Sequence, residues 1–316
     1  MRRYVVISPC RDEAVHLEAT IRTMAAQTCP PTLWVIVNDG STDGTGAILE
    51  RAEAAHSFIR VVTRQDRGER KVGPGVIEAF YAGLETVDLD DFDYVCKMDA
   101  DLELPPRYFE RLMEEMEREP RLGAVSGKMF LRDEHGRLSH ERRGDEHAAG
   151  PSKFYRVACF REIGGFVRMV GWDGIDGHMC RQRGWMARSI MDDEIKVVHR
   201  RMMGSSHRGV LHGRMRGGEG KWRIGSSPWY LLATMVYRMV DPPPVVGALA
   251  MAYGYFRAMV RRVPRQSDPA YLKFLRGYEW RALFLGKNRT TAKYHEAIRR
   301  RFASNAETTV DQRSRQ

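Results

Sequence analysis

Two aspartates stand one residue apart in this sequence, Asp99 and Asp101, directly after the apolar run FDYVCKM. Alternate residues at the end of an extended run project to the same side, so both carboxylates can face one divalent cation. Carboxylate oxygens are ligands that Mg²⁺ and Mn²⁺ accept readily. The spacing therefore indicates a metal site, although a solvated turn or a helix cap would explain the same pair of residues.

Two further acidic segments follow apolar runs nearer the N-terminus, SPCRDE at 8–13 and NDGSTDGT at 38–45. In the first, Asp12 and Glu13 suit the start of a helix. In the second, Asp39 is placed to accept a hydrogen bond from a nucleobase imide. The spacing of the second segment also fits a calcium loop of the EF-hand type, but the β-branched run LWVIV precedes it where such a loop requires a helix.

Short apolar runs alternate with helical patterns, which predicts an α/β fold with a mostly parallel sheet flanked by helices. Strands are predicted at 4–7, 33–37, 59–63, 93–98, 124–131 and 195–198, the last ending at His199. Ligands of such sheets bind beyond the carboxyl ends of the strands. The acidic segments should therefore form one rim, and a rim of carboxylates can bind an anionic nucleotide only with the help of a cation.

Composition limits the class of protein and its compartment. The 316 residues are 43% hydrophobic and 29% charged, which is typical of a globular chain. The five cysteines are scattered without a C-x-x-C pair, so neither a disulfide framework nor a zinc site is indicated. The N-terminal apolar stretch is too short for a signal peptide. We therefore expect a cytoplasmic protein.

The net charge of +10 is concentrated near the C-terminus. Residues 257–301 hold 13 Lys and Arg against three acids, so the rest of the chain is neutral. Two apolar blocks of about twelve residues precede this segment, at 229–240 and 245–256, and a bilayer span needs roughly 20. The pattern favours peripheral contact with the anionic inner face of the cell membrane, and two core helices are the alternative.

Several motifs together resemble the family 2 inverting glycosyltransferases, which have the Rossmann-like GT-A fold of nucleotide-diphospho-sugar transferases. The matching segments are SPCRDEA, VNDGSTDGT, the Asp-x-Asp after a strand, GGF, and WDGID with a later His-Arg, over roughly residues 4–200. The sequence departs from the usual pattern at Asp12, where Asn is common, at Asn38, where Asp is common, and at Trp172, where Glu is common. The resemblance implies a GT-A fold with a C-terminal helical extension.

The resemblance also implies a nucleotide-sugar donor, with a UDP-sugar favoured, and a role for each of several residues. Asp39 would contact the base and Pro9 and Glu13 the nucleoside. Mn²⁺ or Mg²⁺ would be held by Asp101, Asp99 and His199, although His199 could equally be structural. The full set of predicted nucleotide-binding residues is Pro9, Arg11, Glu13, Asp39, Lys71 and Asp99.

Inversion at an anomeric carbon needs one general base to deprotonate the acceptor hydroxyl. Asp173 stands where the family's base would fall, and Asp176 lies one helical turn further on. Asp173 is the favoured candidate. Asp176 could instead be a helix cap or an ion-pair partner of Arg181 or Arg183.

The sequence thus predicts a metal-dependent inverting glycosyltransferase of polysaccharide biosynthesis that glycosylates a hydroxyl of a lipid-linked or cell-surface glycan. The alternatives are a polyprenyl-phosphate sugar synthase and a non-catalytic protein that binds anionic lipid or nucleic acid, of which nucleic acid is the less favoured partner. We predict a donor half at 1–125, an acceptor half at 126–225 and a basic helical region at 226–316. A loop is predicted at 132–150 and a mobile flap at 204–225.

Overall fold

A seven-stranded, mostly parallel β-sheet lies at the centre of the part of the chain that the structure describes. This computed structural model covers residues 2–66, 68, 74–141, 144–200, 210–240 and 243–314, with side chains described as far as residue 304. In spatial order, the strands are β10 (Met186–Ile190), β6 (Leu122–Gly127), β9 (Ser152–Arg156), β4 (Tyr94–Met98), β1 (Tyr4–Cys10), β2 (Leu33–Asn38) and β3 (Ile59–Thr63).

Strand β9 is the antiparallel member, paired with both β4 and β6, and the other pairs are parallel. Cys10 pairs with Asn38 at the carboxyl ends of β1 and β2, which brings the first two acidic segments side by side. The third acidic segment follows β4, the neighbour of β1 on its other side. The predicted acidic rim is therefore present at one edge of the sheet.

Helices cover both faces of this sheet. They are α1 (Leu17–Ala25), α2 (Thr45–Ala55), α3 (Pro74–Leu84), α4 (Tyr108–Arg118), α5 (Val157–Glu162) and α6 (Trp172–Gln182). Alternate residues of β1 enter different cores: Tyr4 and Val6 pack on the side of α1 and α4, and Val5 and Ile7 pack on the side of α3 and α5. The predicted α/β fold is confirmed.

A second, four-stranded sheet in the described residues consists of β5 (Leu102–Glu103), β11 (Val197–His199), β7 (Met129–Arg132) and β8 (Leu138–His140). The single strand predicted over 124–131 is wrong, because β6 and β7 belong to different sheets. At the break, a Cβ on Gly127 would lie 2.0 Å from the Ile195 carbonyl oxygen, so only glycine fits. The loop predicted at 132–150 contains β8.

Five helices follow in the described residues: α7 (Val210–Ile224), α8 (Pro228–Tyr237), α9 (Val246–Val260), α10 (Pro269–Leu285) and α11 (Lys287–Ser314). The prediction of a flap at 204–225 is wrong where the structure describes it, because α7 occupies that segment. The part at 204–209 lies outside the described residues. None of the described helices is both long and apolar enough to cross a membrane. The division at residues 125 and 225 stays a prediction, and its first boundary falls within β6.

The backbones of α7 and α9 touch where two glycines face the opposite helix. A Cβ on Gly218 would lie 1.8 Å from the Met251 carbonyl oxygen, and a Cβ on Gly254 would lie 1.9 Å from the Met215 carbonyl oxygen. No side chain fits at either crossing point. Small residues allow this kind of close approach between helices.

We expect Gly218→Ala to lower the free energy of unfolding by about 1–3 kcal/mol, because the added methyl group must push the two helices apart. Gly217→Ala is the matched control, since Gly217 is exposed and nothing lies within 4 Å of its Cβ position. That control should stabilise the chain by about 0.5–1 kcal/mol through helix propensity. Urea unfolding followed by circular dichroism measures both, and equal effects would contradict the close contact.

Candidate active site

Asp99, Asp101 and His199 meet at the carboxyl end of β4. One ligand atom from each lies within 4.8 Å of those of the other two. The small sheet brings them together, because His199 at the end of β11 pairs with Leu102 at the start of β5, next to Asp101. Two carboxylates and one imidazole form a donor set that fits Mn²⁺ or Mg²⁺. These three residues could therefore hold a divalent cation.

His199 lies between two acids. Its Nε2 is 3.5 Å from Asp101 Oδ2, and its Nδ1 is 3.5 Å from Glu141 Oε2. Burial lowers the pKa of His199, but the nearby carboxylates of Asp101 and Glu141 outweigh that effect and raise the pKa to about 9. A carboxylate behind a metal-binding imidazole fixes the orientation of the ring, so Glu141 suits the role of positioning His199.

Asp99 is half-buried and has two charged neighbours. Burial raises the pKa of its carboxyl group, the Lys97 ammonium lowers it, and the Asp101 carboxylate raises it further. The Lys97 ammonium contacts Asp99 Oδ1 directly. The Asp99 backbone N–H donates to the Pro151 carbonyl oxygen at 2.8 Å. Two adjacent carboxylates in this setting favour a bound cation, which would relieve their mutual repulsion.

The loops that follow β1 and β2 are joined by hydrogen bonds. The Asp12 backbone N–H donates to Ser41 Oγ at 3.1 Å, and Asp12 Oδ1 accepts from the Thr42 N–H at 2.8 Å. The Glu13 N–H donates to Thr45 Oγ1 at 2.9 Å, and Glu13 itself is buried. These contacts hold Glu13 and the NDGSTDGT segment in a fixed relation at the rim.

Asp39 is buried among arginines. Its Oδ1 accepts a hydrogen bond from Arg64 Nη1 at 2.7 Å, and its backbone carbonyl accepts from Arg11 Nη1 at 2.8 Å. Arg11 also reaches Asp66 Oδ1 at 2.8 Å. A Cβ on Gly40 would lie 2.5 Å from Asp66 Cα, so glycine is required where the two loops approach. The structure thus brings Arg11 and Asp39 together.

Two other predicted nucleotide-binding residues are Pro9 and Lys71. Pro9 lies near the carboxyl end of β1, paired with Val37 of β2. Lys71 lies outside the described residues.

Two buried lysines, Lys97 and Lys153, face each other across β4 and β9. Their Nζ atoms lie 5.1 Å and 5.5 Å from the centre of the Trp172 ring. Lys97 donates to the Gly150 carbonyl oxygen at 3.1 Å, and Lys153 donates to the Asp173 carbonyl oxygen at 2.8 Å. The lysines therefore connect the Asp99 segment to the start of α6.

The two candidate bases occupy different environments. Asp176 is buried, and its carboxylate accepts hydrogen bonds from Lys153, from Tyr155 and from the Gly177 N–H. Its ion-pair partner is thus Lys153. The alternative prediction of an ion pair with Arg181 or Arg183 is wrong.

Asp173 is half-buried, and no described residue donates a hydrogen bond to its carboxylate. That carboxylate lies against Gly150, where a Cβ would be 3.2 Å from Asp173 Oδ2. Of the two candidate bases, Asp173 is therefore the one whose carboxylate accepts no hydrogen bond from a described residue.

Four residues of the site were missed by sequence reasoning: Lys97, Lys153, Arg64 and Glu141. The first two carried a signal, because a lysine inside an apolar strand needs a buried partner. Arg64 and Glu141 carried none, since they stand in segments without a recognisable pattern and only the fold brings them to Asp39 and His199.

Comparison with known sequences places this site in context. The sequence model described as glycosyl transferase family 2 matches residues 5–195. Poly-beta-1,6-N-acetyl-D-glucosamine synthases of Staphylococcus aureus strain COL and Staphylococcus epidermidis are 27% and 26% identical over 125 residues. Those alignments cover 39% of this chain and 28% of each relative, so the chain matches little more than a quarter of the relatives' length.

Solved structures show the same fold. The mannosyltransferase PcManGT from Pyrobaculum calidifontis, in complex with GDP-Man and Mn²⁺, has a TM-score of 0.51 at 20% identity, covering 94% of this chain and 86% of its own. S. aureus TarS 1–349 in complex with UDP-GlcNAc has a TM-score of 0.52 at 12% identity, covering 94% and 92%. These likenesses concern the fold, which is that of the GT-A glycosyltransferases.

We expect Asp176→Asn to lower the free energy of unfolding by about 3–5 kcal/mol, because it leaves the Lys153 ammonium buried without its counter-charge. Adding Lys153→Met should restore most of the loss, since both charges are then absent. Asp173→Asn is the control and should cost at most about 1 kcal/mol, the value of an acid in the first turn of a helix. Chemical denaturation tests this, and a stable Asp176→Asn single variant would count against a structural ion pair.

Proposed function

The chain belongs to glycosyl transferase family 2, and from that premise we propose that it is a metal-dependent, inverting glycosyltransferase that uses a nucleotide-diphosphate sugar. The observation that carries the proposal is an unbroken series of contacts from Asp99 to Asp173. Asp99 contacts Lys97 and Pro151, Lys97 contacts Gly150, and Gly150 lies against the Asp173 carboxylate. A candidate cation site and a candidate base thus lie next to each other at one edge of the sheet.

The donor in this proposal is a UDP-sugar. Asp39 and Arg11 would contact the uridine, Pro9 and Glu13 would line the nucleoside pocket, and Asp99 would contact the ribose, with Lys71 as a further nucleotide-binding residue. The TarS structure with UDP-GlcNAc supports a uridine nucleotide, and the PcManGT structure with GDP-Man supports the broader class of donor.

The cofactor in this proposal is Mn²⁺ or Mg²⁺, held by Asp99, Asp101 and His199. When bound, the cation would neutralise the donor diphosphate and so make it a better leaving group. The protein's own contribution is positional. Lys97 fixes the Asp99 carboxylate, and Glu141 holds the His199 ring from behind.

The base in this proposal is Asp173, which would take the proton from the acceptor hydroxyl as that oxygen attacks the anomeric carbon. Its carboxylate is half-exposed, and its position is set by Lys153, which binds the Asp173 carbonyl oxygen. Asp176 is the weaker candidate, because its carboxylate already accepts three hydrogen bonds.

The acceptor in this proposal is a hydroxyl of a lipid-linked or cell-surface glycan, met at the cytoplasmic face of the membrane. The names of the curated relatives support a role in polysaccharide synthesis. Contact with an anionic membrane is supported by the surface, because 15 of the 21 large hydrophobic side chains exposed in the described residues lie between 229 and 284. Such a surface, next to basic residues, favours peripheral binding to acidic lipid.

We expect UDP with Mn²⁺ to raise the thermal unfolding midpoint by several degrees, because a ligand at about a hundred times its Kd adds about 2.7 kcal/mol. The rise should vanish with EDTA and in the Asp99→Ala/Asp101→Ala variant. Asp90→Ala/Asp91→Ala removes two exposed acids and should retain the rise. A panel of UDP, GDP, CDP and dTDP identifies the nucleotide. The absence of any shift on folded wild-type protein would contradict the donor site and favour a non-catalytic binding role.

We expect Asp173→Asn to lower the rate of sugar transfer by about 10²–10⁴-fold while UDP and Mn²⁺ still stabilise the protein, because only proton removal from the acceptor is lost. Asp193→Asn, at an exposed position, is the control. Transfer from radiolabelled UDP-sugar to a glycan acceptor measures the effect. Full turnover in Asp173→Asn would instead point to an acceptor that is already ionised, as in a polyprenyl-phosphate sugar synthase.

A further inference from the structure

A cleft of about 500 Å³ lies between the end of α7, the start of α8, α9 and α10, and none of the residues assigned to catalysis lines it. Its lining combines three tryptophans, Trp222, Trp229 and Trp280, with the two arginines Arg265 and Arg276. Aromatic rings offer apolar area, and guanidinium groups offer paired donors that match a phosphate. The composition of the cleft therefore suits an amphiphilic anion.

The arginines of the cleft are not neutralised by acids. Arg265 stacks on the Trp222 ring at 4.4 Å and donates to the Gly225 carbonyl oxygen at 3.4 Å. Neither Arg265 nor Arg276 has an acidic partner anywhere in the described part of the chain. Glu279, on the same helix as Arg276, is buried, and its carboxylate accepts a hydrogen bond from the Ser227 N–H at 3.0 Å. The positive charge of the cleft is thus available to a ligand.

The cleft opens onto an exposed apolar face. Large apolar side chains recur on α8 and α9 at intervals of three and four residues, which places those of each helix on one side. The two stripes, which we together call the apolar face, are Trp229, Leu232 and Val236 of α8 and Val246, Leu249, Tyr253, Phe256 and Val260 of α9. Trp229 belongs to both the face and the cleft, so the two surfaces are continuous.

The end of α7, which forms one wall of the cleft, contacts the residue that precedes α6. Gly171 immediately precedes α6, and a Cβ at this residue would lie 2.7 Å from Ile224 Cγ2. Ile224 ends α7, and the next residue, Gly225, lines the cleft. The start of α6, which carries Asp173, is therefore in contact with the helix end that forms one wall of the cleft.

We propose that this cleft binds the phosphate or diphosphate of a lipid, with the hydrocarbon chain lying along the apolar face. The inference rests on the proposed function, because such a lipid would anchor the acceptor whose hydroxyl Asp173 deprotonates. Arg265 and Arg276 bind the phosphate oxygens, and the tryptophans cover the first part of the chain. The ligand is a lipid and not a free phosphate because the arginines share the cleft with aromatic rings and open onto eight exposed apolar side chains.

The test uses the full chain and three probes: farnesyl diphosphate, inorganic diphosphate, and phosphatidylcholine vesicles with or without phosphatidylglycerol. Binding is followed by intrinsic tryptophan fluorescence and by co-sedimentation. Arg265→Gln/Arg276→Gln should weaken binding of farnesyl diphosphate by about tenfold, the effect of losing roughly one charged hydrogen bond. Arg289→Gln/Lys293→Gln removes the same charge from exposed positions of α11 and should leave binding within about twofold.

The outcomes separate the possible sources of the phosphate. Weaker binding of farnesyl diphosphate to the cleft variant, but not to the control variant, supports a lipid-phosphate acceptor site. If the cleft variant instead loses binding only to phosphatidylglycerol vesicles, the site binds a bilayer headgroup and the acceptor assignment is overturned. Inorganic diphosphate binding as tightly as farnesyl diphosphate would overturn the lipid assignment. If the cleft and control variants weaken lipid binding equally, the effect is one of net charge, and the proposed binding site in the cleft is overturned.

The proposed function can fail separately from the cleft. Wild-type protein that is stabilised by UDP and Mn²⁺ but binds no lipid probe would remove the cleft and keep the glycosyltransferase site. Binding of a lipid probe without any stabilisation by UDP and Mn²⁺ would remove the glycosyltransferase site and keep the cleft. Because Arg265 packs on Trp222, its replacement could unfold the chain, so Arg276→Gln alone serves as a second variant. Arg276 is exposed, and its side chain makes no hydrogen bond, ion pair or cation–π contact with another described residue.

Discussion

Two ammonium groups buried side by side determine how this active site is arranged. Lys97 and Lys153 are directly opposite on neighbouring strands, where like charges repel. Their charge is balanced by Asp99 and Asp176, by two backbone carbonyls and by the face of Trp172. Each lysine therefore requires its carboxylate, and each carboxylate is held where its lysine places it.

This requirement gives a physical reason for one departure from the family pattern. Trp172 stands where the family resemblance leads us to expect Glu, and its ring is within cation–π distance of both lysines. A third carboxylate is not needed beside two ammonium groups that already have Asp99 and Asp176. At the same helix start, no described residue donates a hydrogen bond to the Asp173 carboxylate, whereas the Asp176 carboxylate, one turn further on, is held by Lys153.

The sequence could predict the elements whose signals are local. Alternating apolar runs and helical patterns predicted β1, β2, β3 and β4 and the acidic rim at their carboxyl ends, because each pattern is read within a few residues. Pairings between distant segments had no such signal. The split of 124–131 between two sheets depends on the close approach of Gly127 to Ile195. The many glycines of α7 weaken its helix propensity, which is why the sequence predicts a flap there and not a helix. In α7 one of those glycines, Gly218, is instead required by packing.

The glycine crossing of α7 and α9 also has a mechanical consequence. Side chains between two packed helices can change rotamer, which accommodates small sliding shifts of one helix along the other. At Gly218 and Gly254 no side chain separates the helices, and the peptide backbones are in contact. We therefore expect the two helices to move as one rigid unit. This unit carries the exposed apolar side chains of α9 and, at the end of α7, the contact between Ile224 and Gly171.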